Sequence, residues 1–232
     1  MENDRPSVIF SLDGARRGAA MCIPLAIASI VFGLGFGILA RDTGLDLAQA
    51  LGMSALVFAG ASQMVAMDVW TTPPAVLGLA VAAFAINIRH VVMGAALRPW
   101  LHALPVVKSH AALTMMTDAN WALAMAERRK GEIDGAFLVG SGAVMWVGWV
   151  AGTGIGHLAG GAIGDPAAFG IDVIVPAFFA LTLTSLWPGA RRLHPWVAAG
   201  VAAVLAHQVL PGAWHVVVGG LVGAGVGALG RE

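Results

Sequence analysis

Charge is what this sequence has least of. Of its 232 residues, 11% are Asp, Glu, Lys or Arg, while 58% are hydrophobic. A soluble domain of this size needs roughly a quarter of its residues charged to cover its surface. These residues cannot build such a surface, so most of the exterior is expected to face lipid. A single cysteine, Cys22, excludes an internal disulfide and any multi-cysteine metal site. Tyrosine is absent, which excludes a mechanism that needs a phenol. The net charge is zero, so nothing points to nucleic acid. No cofactor and no metal are expected.

What the chain has instead is glycine, 31 residues of it, and long apolar runs. A membrane span needs about 17–25 mostly apolar residues. Runs of that kind cover 18–40, 51–68, 75–97, 136–159 and 171–187. The run 195–229 is broken at Leu210–Trp214, where Pro211 and Gly212 predict a turn between two short spans. The first run, Gly18–Ala40, exceeds the ~7–15 residues of a signal core, so a retained span is expected.

One run, 111–126, is short and carries Asp118 and Asn120. Cytoplasmic connections collect Lys and Arg. If 111–126 spans, Arg5, Arg16, Arg17, Arg128, Arg129, Lys130, Arg191, Arg192 and Arg231 all fall inside, and Arg41, Arg98 and Lys108 fall outside. If it does not, that bias collapses. The fold expected is therefore an all-α polytopic membrane protein of about eight transmembrane helices (roughly six at the least), some short or broken. A cytoplasmic segment 1–17 would precede one transmembrane domain, 18–232, with both termini cytoplasmic. Trp70, Trp100, Trp187, Trp196 and Trp214 lie near span ends, as in an interfacial belt, whereas Trp146 and Trp149 are deeper and read as packing residues.

"GLGFGILA" (Gly33–Ala40) and "GTGIGHLA" (Gly152–Ala159) match in spacing, and suggest repeat halves 18–126 and 136–229. In the eight-span arrangement the two copies run the same way. The glycines 33, 35 and 37, and 152, 154 and 156, lie inside spans and not after a strand, which rejects a dinucleotide loop. Two readings remain open. Gly33/Gly37 and Gly152/Gly156 have the spacing of close-packed helices; alternatively the helices unwind there to hold a substrate, with Thr153 beside it.

Polar residues inside the spans are the candidates for function. Ser62 and Gln63 lie in "FAGASQM" (Phe58–Met64), where interhelical hydrogen bonding is the plain reading. Asn87, Arg89 and His90 interrupt the apolar run Ala75–Leu97. An arginine at the centre of a span is disfavoured by about 2.5–3.5 kcal/mol on insertion scales, so it needs a partner or a wet cavity. Asp118 is the candidate partner. Thr114, Thr117, Asp118 and Trp121 share one helical face. Arg89, His90 and Asp118 together would bind an amino-acid zwitterion or relay a proton, and the residues alone do not separate the two.

The stretches "FGILARDTGL" (Phe36–Leu45), "MSALVFAGASQM" (Met53–Met64), "NIRHVVMGAALRP" (Asn87–Pro99), "MTD" (Met116–Asp118) and "GTGIGHLAGGAIGDPAAFGID" (Gly152–Asp172) occur in that order. The series resembles the AzlC family of branched-chain amino acid export permeases. Ala119 and Met93 depart from that pattern, where an acid and a tyrosine are common. The resemblance implies an inner-membrane permease that exports valine, leucine or isoleucine with a small AzlD-like membrane protein. Transport, not catalysis, is the main reading. One rival is an intramembrane aspartyl protease using Asp118 and Asp165, but Pro166 places Asp165 in a connection. Another is a structural subunit whose partner forms the pathway, which leaves Arg89 and Asp118 unexplained.

Overall fold

The computed structural model describes residues 8–71, 73–132, 134–162, 193–210 and 214–229, with positions 173, 176, 177, 180 and 189 between them. Among those residues the longer elements are all helices. They are α1 (Leu12–Met21), α2 (Ile23–Asp42), α3 (Leu47–Val57), α4 (Gly60–Asp68), α5 (Val76–Asn87), α6 (Arg89–Leu101), α7 (Val106–Thr114), α8 (Asp118–Arg129), α9 (Ala136–Gly160), α10 (His194–Val209) and α11 (Trp214–Leu229). Three stretches are long and apolar enough to cross a membrane: Ile23–Asp42, Val76–Leu101 and Ala136–Gly160.

The chain divides into two compact units, Met1–Phe58 with Arg89–Gly164, and Ala59–Ile88 with Asp165–Glu232. The first unit is organised on α2 and α9. These helices run parallel and touch backbone to backbone, which glycine alone permits. A Cβ on Gly33 would come within 2.6 Å of the Trp149 carbonyl oxygen, and one on Gly148 within 2.8 Å of the Ala26 oxygen. At Gly37, Gly152 and Gly156 it would fall well inside the van der Waals surface of the Thr153, Ile30 and Leu34 carbonyl oxygens. Gly33 and Gly152, equivalent positions of the two matching stretches, face each other. Both helices are continuous through these glycines. Gly35 is buried as well, whereas Gly154 meets only the Leu51 side chain, at 3.5 Å.

The N-terminal segment closes on the start of α9. Ile9 forms a parallel bridge with Asp134, and Gly135 N–H donates to the Ile9 carbonyl at 2.9 Å. The Asp134 carboxylate is 1% exposed and accepts from Ser11 N–H (3.1 Å), Ala136 N–H (3.0 Å) and the Ser11 hydroxyl. A buried carboxylate is tolerable because these donors satisfy its oxygens. Arg17 pairs with Glu132 on the same connection. Residues 9–17 and 132–135 therefore share one end of this unit.

Three expected runs are interrupted. The run 51–68 is α3 and α4, parted at Phe58, whose φ of 38° and ψ of 47° are left-handed. The run 75–97 is α5 and α6, parted at Ile88. The run 111–126 is α7 and α8, parted at Met115–Thr117. Trp100 does not sit in a belt. It is 2% exposed and packs with Leu97, Leu101 and Phe137. Trp146 donates to the Ala55 carbonyl at 3.1 Å and Trp149 stacks on Phe36, so both serve packing. In the second unit α10 and α11 pack on each other, with Gly219 and Gly223 against Ala203 and Ala199. Residues 171–187 and Asp165 lie largely outside the described residues, as does the turn 211–213.

Candidate functional site

Arg89 is the first residue of α6 and follows a one-residue turn at Ile88. Asp118 is the first residue of α8. Its position is fixed by a capping box: Thr117 N–H donates to Asn120 Oδ1 at 2.7 Å, and the Thr117 hydroxyl accepts from Asn120 N–H. Asn120, fully buried, also donates through Nδ2 to the Met115 carbonyl at 2.8 Å, closing the gap between α7 and α8. Thr117-x-x-Asn120 is a capping pattern in the sequence, and it locates Asn120 as the positioning residue of this corner. The helix N-terminus favours the Asp118 charge.

Arg89 Nη2 lies 2.7 Å from Asp118 Oδ2. The two side chains are 30% and 24% exposed, so the pair is neither sealed in a core nor bathed in solvent. Arg89 Nε is buried and has no hydrogen-bond partner among the described residues. A second link joins the same helices, from Trp121 Nε1–H to the Met93 carbonyl at 3.2 Å. The Thr117 hydroxyl is 3.7 Å from Met145 Sδ of α9. His90, next to Arg89 in the chain, is half-buried.

In the other unit Asn87 Nδ2–H donates to Ser62 Oγ at 2.8 Å, tying the end of α5 to α4, and Gln63 is fully buried beside Ser62. The N-terminus of α4 has no side-chain cap. The chain passes between units at Phe58/Ala59 and at Ile88/Arg89, both at helix interruptions. A left-handed phenylalanine disfavours the chain by roughly 1–2 kcal/mol, the kind of local strain that functional sites retain.

Thr153 belongs to a different cluster. It is fully buried, shares a 2.8 Å hydrogen bond with Ser54 and donates to the Trp149 carbonyl at 2.9 Å. One turn on, His157 Nε2 bonds to the Leu45 carbonyl at 2.8 Å, and Arg41 donates to the His157 carbonyl at 3.2 Å. The six candidate glycines lie on α2 and α9, the helices that carry Arg41, Thr153 and His157, whereas the ion pair joins α6 and α8.

The profile of the family described as AzlC protein matches residues 24–163, more than half of the chain. The chain belongs to the AzlC family. The matched stretch contains Ser62, Gln63, Asn87, Arg89, His90, Thr117, Asp118 and Thr153. A relative from Archaeoglobus fulgidus, named an uncharacterized membrane protein, is 29% identical over 199 residues, 84% of this chain and 85% of its own. The inner membrane protein YgaZ of Escherichia coli is 28% identical over 200 residues, 83% of this chain and 80% of its own. No solved structure gives a match. AzlC membership, membrane-protein relatives and apolar helices of spanning length together make this a membrane protein of transporter type.

Proposed function

We propose that this chain is a secondary transporter that exports branched-chain amino acids across the inner membrane by alternating access. It would be the large subunit of a two-component exporter, with a small AzlD-like membrane protein as the other. The observation that carries the reading is the Arg89–Asp118 pair, partly exposed at the starts of two interrupted helices. Ionisable groups in a membrane segment are disfavoured unless they face a cavity or a pathway. Interrupted helices are where transporters bring backbone and polar groups to a substrate. Apolar neighbours suit an aliphatic side chain: Met93 and Trp121 lie on the same two helices. Asp118 is engaged by Arg89, which favours transport over a proteolytic dyad sharing one proton.

Eight spans fit this reading: α2, α3–α4, α5–α6, α7–α8, α9, the run 171–187, α10 and α11. The clasp between residues 9–17 and 132–135 supports it, because it puts Arg17 and the Arg128–Lys130 cluster at one end of their unit. An even number of crossings between them is what the reading with α7–α8 as a span requires. The parallel contact of α2 with α9 agrees with two like-oriented repeat halves. With both termini cytoplasmic, Lys130→Cys is shielded from an impermeant thiol reagent added outside, and Ala162→Cys is labelled. Native Cys22 is fully buried and gives little background. The reverse labelling pattern refutes the orientation.

The function itself is tested by efflux. Cells expressing the chain with its small membrane partner should export valine, leucine or isoleucine, and cells expressing the chain alone should export little. Full efflux from the purified chain in liposomes would refute the partnership. No efflux with the partner present would refute the transport reading.

A further inference from the structure

The ion pair does not use Arg89 fully. A guanidinium offers five N–H donors in a fixed fork, and a carboxylate can take two of them side by side. Asp118 holds Nη2, while Nε is buried and without a partner among the described residues. A buried donor left open is unfavourable, and an acceptor arriving there relieves it. Asp118, for its part, is already doubly held, by Arg89 and by the N-terminus of α8. The corner thus has a buried, unsatisfied donor that a carboxylate would satisfy, while Asp118 is already engaged.

Resting on the transport reading of this site, we propose that Arg89 takes the substrate's carboxylate through Nε while Asp118 stays on Nη2. The substrate class is then branched aliphatic carboxylates, with or without an amino group. Asp118 is a positioning residue that holds the guanidinium, not a receptor for the substrate's ammonium. A branched 2-oxo acid should therefore be recognised as well as the amino acid, and a branched amine not at all.

The test is equilibrium binding to the full chain in detergent, with L-leucine, 4-methyl-2-oxopentanoate and 3-methylbutylamine as probes, beside leucine flux in vesicles. The oxo acid should bind within about threefold of leucine, and the amine should not compete. Arg89→Lys keeps the charge but removes Nε, and should weaken both carboxylates on the order of tenfold or more while the chain still folds. Asp118→Asn should weaken leucine and the oxo acid by the same factor, because Asp118 acts on both only through the guanidinium it holds. Competition by the amine overturns the proposal. So does a loss of leucine binding in Asp118→Asn with oxo-acid binding spared, since Asp118 would then hold the ammonium. Failure of all three probes to bind also overturns it. Arg89-dependent binding of both carboxylates without flux supports it and defeats the transport reading instead. Leucine flux without oxo-acid binding does the reverse.

Discussion

Gly156→Val should leave clearly less folded protein in the membrane than the native chain, whereas Gly154→Ala should accumulate normally. The two positions are half a turn apart on α9 and differ in what a side chain would meet. A Cβ at 156 enters the Leu34 backbone, and its nearest atoms there are the carbonyl oxygen, the carbonyl carbon and Cα. None of these moves unless α2 moves. At 154 the nearest atom is the end of the Leu51 side chain at 3.5 Å, an ordinary contact. Overpacking of a core disfavours folding by about 1–3 kcal/mol, and more where backbone must yield. Separating α2 from α9 would also undo the neighbouring approaches at Gly33, Gly37 and Gly152, so the upper end applies. The measurements are abundance in the membrane fraction and the thermal midpoint in detergent. The midpoint should fall by roughly 6–12 °C for Gly156→Val. Equal stability of the two variants would mean that close approach of α2 and α9 does not hold the unit together.

Those contacts were legible in the sequence, because four-residue glycine spacing on two matching stretches has a direct steric meaning. The long helices α2 and α9 followed from apolar runs, and the pairing of Arg89 with Asp118 followed from the unfavourable burial of each alone. The interruption at Phe58 did not. Phenylalanine has no preference for left-handed backbone, and "FAGASQM" carries no proline; the only local hint is Gly60, two residues later. The clasp at Asp134 was equally hidden. Its partner Ser11 is 123 residues away in sequence, and a lone aspartate in a connection looks the same whether solvated or buried. Trp100 shows the limit of the belt rule. Its place near a span end says where it lies along the axis, not which side of the helix it occupies.

Arg89→Ala is expected to abolish efflux and to destabilise the chain, and the double variant Arg89→Ala/Asp118→Asn should recover stability without recovering efflux. Removing one partner of a sealed ion pair disfavours folding by about 3–5 kcal/mol, because a charge is left buried and unpaired. Here the Asp118 side chain is 24% exposed and capped by a helix N-terminus, so water and the dipole keep part of its stabilisation. A loss of about 1–3 kcal/mol is the expected size. Asparagine at 118 removes the stranded charge while keeping the shape of the side chain, so most of that loss should return. Transport should not return, because the cation that receives the substrate is still missing. Thermal midpoint and efflux are measured on the same four chains: native, each single variant and the double. Restored efflux in the double variant would make the pair a structural brace and move the pathway elsewhere. Native efflux in Arg89→Ala alone would remove the arginine from function altogether. Full stability in Arg89→Ala with efflux lost would keep its role in transport but show that Asp118 is already satisfied by the helix end and by water.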